Sequence, residues 1–318
     1  MTIHDDQATS EATDLEPTSP SDDAPSRPAA PLAARHRRTR LHRPAWTHHH
    51  QLVAAVTVLA LVIVVSVLAP LIAPHDPTVG DAASRYLEPG SAGHLLGTDE
   101  QGRDILSRLI WGGRATIAPT ALATTVAVLI GSVVGLLAGW SRSWISSGVM
   151  RIVDILFAFP VVIVAFALAE VIGMGVWVVA AAVIFAATPY VTRIVYAETR
   201  RQRELEYVEA AVGLGGSSWT ILRTEILPNV GATVIVYWTS LIGILIVLAS
   251  SLSALGIGVQ PPTPDWGRMV AEGAKVLISG SPYVAIAPGI AILVVGLAFN
   301  WLGDGLRDVL DPRWSAHR

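Results

Sequence analysis

Apolar residues gather along this chain in long runs that carry no charge. The first, Leu52 to Ala73, spans 22 residues without a charge, which at about 1.5 Å per helical residue exceeds a hydrocarbon core of about 30 Å. Comparable windows recur at Ala115 to Trp140, Ile152 to Ile172, Val176 to Tyr196, Val230 to Gly256 and Tyr283 to Leu302. The pattern predicts an all-α polytopic membrane protein with six transmembrane helices. Continuous Ala, Val, Ile and Leu content excludes the alternating strands of an outer-membrane barrel. Residues 1–46 are rich in Asp, Glu, Ser, Thr, Pro and Arg and are expected to form a disordered cytoplasmic tail. The first apolar run begins after this polar leader and lacks a clear small-x-small cleavage site, so the expectation is an anchor that stays.

Composition agrees, with 52% hydrophobic and 15% charged residues among 318 and a mean hydropathy of +0.52, against about 25% charged residues in soluble domains. Without cysteine, disulfides, thiolate catalysis and Cys-ligated zinc are excluded. The single lysine, Lys275, precedes Val276, so no Walker A loop exists here. The basic cluster Arg35 to Arg43 is short and the net charge is -3, which speaks against a nucleic-acid partner. With the N-terminus inside, sixteen of the 22 Lys and Arg residues fall on the cytoplasmic side, as the positive-inside rule requires.

Within the spans polar content is low, and Asp154, Glu170, Arg193 and Asp304 stand toward predicted ends. An ion-coupled carrier needs ionisable groups or unwound carbonyls near the bilayer centre, and an enzyme needs a nucleophile with a base; neither set is evident. Pro160, Pro189 and Pro288 read as packing bends. Gly131, Gly135 and Gly139 give one face of the second span a small surface for close helix approach. His48, His49 and His50 read as a juxtamembrane surface run, since consecutive histidines do not share a helical face. Asp99, Gly102 and Asp104 lack the spacing of a calcium loop, and Asp104 is predicted to cap an amphipathic helix over Ile105 to Trp111. Asn300, Asp304, Asp308 and Asp311 share a face at the inner surface, with Arg307 placed to pair with Asp304. No catalytic, cofactor or metal site is expected.

The segment Glu198 to Pro228 is the most informative. Leu205, Val208 and Val212 fall at helical spacing over Glu204 to Leu214, with Glu209, Ala210 and Ala211 in the middle and Gly213, Gly215 and Gly216 at the end. Ser217 or Ser218 can cap a second short helix, Trp219 to Ile226, and Pro228 opens the next span. Periodicity alone suits an ordinary amphipathic surface loop as well as a docking element.

Glu209-Ala210-Ala211, Gly215 and Leu227-Pro228 resemble the EAA loop of bacterial ABC importer permeases, with Glu225 where the general pattern has Ile. Further stretches are similar to the C-type permease of dipeptide, oligopeptide and nickel importers. They are His94 through Asp99 with Gly102-Arg103-Asp104, Ala158-Phe159-Pro160, Ser251 through Gly256 to Trp266-Gly267, and Phe299 through Asp308 with Leu310-Asp311-Pro312-Arg313. One family motif has Phe where this chain has Ala254. The resemblance covers roughly Leu52 to Trp314 and implies a type I ABC importer permease fold. It implies a first transmembrane helix plus extracytoplasmic loop over 47–114 and a five-helix core over 115–314 that includes the cytoplasmic coupling loop 198–228. It further implies an inner-membrane permease subunit with both termini cytoplasmic, forming half of a translocation path for di- or oligopeptides or similar small solutes. Glu209, Ala210, Ala211, Gly213, Gly215, Leu227 and Pro228 would couple it to two ATPase subunits, which would bind ATP and Mg. A second homologous permease, an extracytoplasmic solute-binding protein and membrane lipid would be its other partners. A secondary, ion-coupled carrier is the alternative.

Overall fold

The computed structural model describes residues 46–91, 93–141 and 144–310. The polar tail, Arg142 and the closing Asp311-Pro312-Arg313 lie outside the described residues. Among the described residues every regular element is helical. Helix α1, Trp46–Val67, takes in the histidine run in its first turns. A short α2, Ala69–Ile72, follows with Pro70 in its first turn. The predicted first run is divided there because proline cannot donate to the carbonyl four residues back.

Helix α3 runs 36 residues, Ile105–Trp140, merging the expected amphipathic helix with the second span. Asp104 caps it as expected, its carboxylate accepting from the Ser107 N–H at 2.7 Å. The third window is not one straight helix: α4, Trp144–Phe157, and α5, Val161–Ile172, meet at 86°. Pro160 is the cause, because its ring forces the preceding residue out of the helical region. Pro189 and Pro288, by contrast, sit inside α6, Val176–Arg203, and α11, Tyr283–Leu310. Between those two helices come α7, Glu206–Gly213, α8, Ser218–Ile221, α9, Leu227–Ala254, and α10, Trp266–Ala274. Among the described residues five helical runs are long and apolar enough to cross a membrane, and the bent pair makes a sixth if counted as one span.

The glycine face performs the packing expected of it, with α3 lying lengthwise on α6. Gly131 faces Thr188 and Val191, Gly135 faces Thr192 and Val195, and Gly139 faces Tyr196 and Thr199. A Cβ on Gly135 would come within 2.6 Å of the Thr192 carbonyl oxygen, so the backbones meet at a distance that side chains would prevent. One apolar cluster joins this pair to α5, α7 and α9 through Ala127, Ala165, Val183, Val208 and Leu245. A second gathers α1, α3, α9, α10 and α11 around Ile246, Trp266, Val295 and Phe299. Trp266 is fixed there by hydrogen bonds from its indole N–H to the Leu109 carbonyl at 2.8 Å and from its backbone N–H to Thr116 at 3.2 Å.

At the 74–104 end of the bundle the sequence reading missed a buried charge cluster. Arg103 and Arg108 are almost wholly buried. Arg103 donates to Asp99 at 2.7 Å and to Glu272 of α10 at 3.2 Å; Arg108 donates to Glu272 at 3.0 Å and also reaches Asp99. Arg268 adds a third guanidinium to Glu272 at 3.0 Å. Asp265, the N-cap of α10, is also buried, and burial pushes its carboxyl up from the ordinary range despite bonds from the Arg268 N–H and the Thr116 hydroxyl.

Candidate functional site

The 198–228 segment is built from its glycines outward. Helix α7 ends in a Schellman turn: the Gly216 N–H donates to the Ala211 carbonyl at 3.1 Å and the Gly215 N–H to the Val212 carbonyl at 3.0 Å. Gly215 sits at φ +83, a conformation that disfavours residues with a Cβ. The chain then turns back, and Ser217 caps α8 by accepting from the Thr220 N–H at 3.2 Å. The expected second helix does not stop at Ile226. A π-turn over Leu222–Ile226 carries it into α9, with the Leu227 N–H reaching back to the Leu222 carbonyl and Pro228 in the first turn. The missing proline N–H falls beside this wider turn, where the regular ladder is already interrupted.

One residue anchors α7 from beneath. Val208 is 1% exposed and packs with Ile221, Leu222 and Ile226. Leu205 and Val212, expected to share that buried face, remain exposed, so the inward face is narrower than the spacing suggested. Ala211 is half-buried against the same cluster, whereas Glu209, Ala210, Gly213 and Gly215 are exposed. Leu214 at the turn is 90% exposed, and Trp219 and Leu227 are also open. Small residues interleaved with uncovered apolar side chains on a polar loop form a surface suited to another protein.

Sequence reasoning missed the groups that tie α7 to the long helices. Gln202 of α6 donates to Glu198 at 2.9 Å and accepts from the Tyr207 hydroxyl at 2.8 Å; Asn229 of α9 donates to Tyr207 at 3.3 Å and to the Glu225 carbonyl at 2.6 Å. Arg203 donates to the carbonyls of Gly139 and Trp140 at 3.2 and 2.9 Å, closing the C-terminus of α3. Their spacing carries no motif; only the fold brings them together. A cavity of about 320 Å³ lies between Trp140, Arg203, Val208, Glu209, Val212 and Ser218.

A larger cavity, about 650 Å³, opens at the same end of the bundle between α6, α9 and α11. Tyr190, Thr233, Tyr237 and Ser240 line it together with Glu198, Arg201, Asp304 and Arg307. Among the described residues no ion pair joins Arg307 to Asp304, contrary to expectation; both face the cavity. Arg193 and Asp154 do pair, with the Arg193 guanidinium 4.6 Å from the Phe157 ring.

Residues 131–316 match the family described as binding-protein-dependent transport system inner membrane component. The glutathione transport system permease protein GsiD of Pectobacterium atrosepticum is 40% identical over 264 residues, covering 83% of this chain and 87% of that relative. GsiD of Escherichia coli is 39% identical over the same extent. Among solved structures, an inward-facing conformation of the MetNI methionine ABC transporter aligns with a TM-score of 0.55 at 17% identity. It covers 65% of this chain and 98% of that one, a likeness of fold. The chain thus belongs to the binding-protein-dependent transport system inner membrane components: it is a multi-pass permease subunit of an ABC importer, served by ATPase and solute-binding subunits, and neither an ion-coupled carrier nor an enzyme.

Proposed function

We propose that this chain forms half of a translocation path for di- or oligopeptides or similar small solutes, completed by a homologous second permease within the membrane lipid. In this reading α7 and the turn after it dock on ATPase subunits, two per assembly, which hold ATP and Mg. The observation that carries the docking role is the exposed face of Glu209, Ala210, Gly213, Leu214 and Gly215 on a helix anchored by buried Val208. Leu227 and Pro228, exposed at the start of α9, are assigned to the same docking surface in this reading, and half-buried Ala211 supports α7 from within. Supporting the solute class, the relatives are named for glutathione, a tripeptide, and the 650 Å³ cavity carries both charge signs and several hydroxyls, which suits a zwitterion. The test is reconstitution in proteoliposomes: ATP hydrolysis stimulated by solute-loaded binding protein, seen only when ATPase subunits are present. Hydrolysis indifferent to the permease would overturn the reading.

In the same reading both termini and the 198–228 loop are cytoplasmic, with 74–113 and 260–282 outside, an orientation that the arginine distribution supports. Because the chain has no cysteine, single cysteines report without background. An impermeant thiol reagent on intact cells should label Thr263→Cys and spare Ser217→Cys. The reverse pattern would invert the topology.

A further inference from the structure

We propose that His75, His94 and Asp104 form a binding site for a divalent cation of the zinc class. The proposal stands apart from the transport role. His75 follows α2, His94 lies in a turn of the following loop, and Asp104 caps α3. Their spacing matches no metal motif, which is why the sequence alone offers no such set. The fold brings them together: His94 Nδ1 is 3.0 Å from Asp104 Oδ1, and His75 Nδ1 is 3.8 Å from Asp104 Oδ2. One ligand atom from each residue falls within 4.8 Å of the other two.

Both Nδ1 atoms approach the same carboxylate. The two imidazole rings stack at 4.7 Å with 28° between their planes, so for one ion to lie in both ring planes the exposed His75 ring must turn on its side-chain torsions. Bonds of about 2.0–2.2 Å in a tetrahedral zinc site place ligand atoms about 3.3–3.5 Å apart; His94 stands slightly closer than that to one Asp104 oxygen and His75 slightly farther from the other, so a small turn of His75 would complete the set. The carboxylate is prearranged: it is buried, and the Ser107 N–H holds Oδ2 at 2.7 Å. The Ser107 hydroxyl in turn accepts from the His75 backbone N–H at 3.0 Å. Arg103 and Arg108, the nearby guanidiniums, are committed to Asp99 and Glu272. His75 is 42% exposed, giving the ion an entry path and leaving a position for water as fourth ligand.

Two imidazoles with one carboxylate favour zinc and its neighbours over calcium or magnesium, which take oxygen ligands. Binding requires Nδ1 of each ring to be free of its proton. His94 must therefore give up any Nδ1–H bond to Asp104 and keep its proton on Nε2. The bound ion would staple the loop after the first span to the start of α3.

The experiment uses the full chain in detergent, stripped with chelator and titrated with Zn²⁺, with Co²⁺ as an optical probe. Wild type should bind one ion that His75→Ala, His94→Ala and Asp104→Asn each release or weaken more than about tenfold, the loss that even outer-shell changes can produce. The tetrahedral cobalt absorption should vanish with it. Asparagine keeps the helix cap, and the exposed His75 side chain can be removed without touching the core. If His75→Ala melts like wild type without zinc and still binds the same number of ions with equal affinity, the ion sits elsewhere, for instance on His48 to His50, and the site is refuted. Absence of zinc binding by wild type refutes it equally.

Discussion

Tryptophan in place of Ala210 is expected to abolish solute-stimulated ATP hydrolysis and uptake while the permease reaches the membrane at its normal level. Ala210 is exposed on α7, so the added volume meets whatever docks there and not the chain's own interior. Overfilling a close-packed contact costs about 1–3 kcal/mol, which weakens docking about 5- to 150-fold. Ala211→Trp is the less clean variant, because Ala211 packs against the cluster around Val208 and would disturb it. Gly215→Val should have a comparable effect by another route. Nothing lies within 4 Å of the added Cβ, but φ +83 costs a β-branched residue about 1–3 kcal/mol, and the Schellman turn must rearrange. Gly215→Asn, which tolerates that region, should retain more activity. Glu209→Gln should be mild, since an exposed carboxylate in such a contact contributes about 1 kcal/mol or less. Normal transport by both Ala210→Trp and Gly215→Val would remove α7 as the docking element.

Glu272→Ala should be the most destabilising single change at the other end of the bundle. It leaves Arg103 and Arg108 buried with Asp99 as their remaining carboxylate, and removing one partner of a buried ion pair costs about 3–5 kcal/mol. The loss also frees α10 from the loop that precedes α3. Arg268→Ala, at the more exposed edge of the same cluster, should cost much less. Thermal unfolding in detergent distinguishes them, and equal melting temperatures for the two variants would show that burial does not govern this cluster.

The features that were legible in sequence are those whose cause lies within a few residues. Uncharged runs announced the spans, the glycine triplet announced the α3–α6 contact, and Asp104 and Ser217 announced helix starts through side chains that reach only three residues. The site was half legible on the same terms: the Gly215 turn and the exposed Glu209-Ala210 face are local, whereas Tyr207 meets Asn229 only because the loop returns the chain to it 22 residues later. Hydropathy windows averaged over Pro160 and so joined α4 to α5. The Arg103, Arg108 and Glu272 cluster was invisible for a different reason. Charges near a helix start look like a solvated surface until a segment more than 150 residues away covers them.

Val208 is the one fully buried residue of α7, with half-buried Ala211 beside it on the same cluster, so in the proposed docking role the helix would pivot on that inner side. Leu214 stands six residues beyond Val208, about 9 Å at 1.5 Å per residue, and Tyr207 one residue to the other side. A push at the Leu214 end would tilt α7 and reach Tyr207, which is bonded to Gln202 and Asn229. Through them it would bear on α6 and α9, two of the walls of the 650 Å³ cavity.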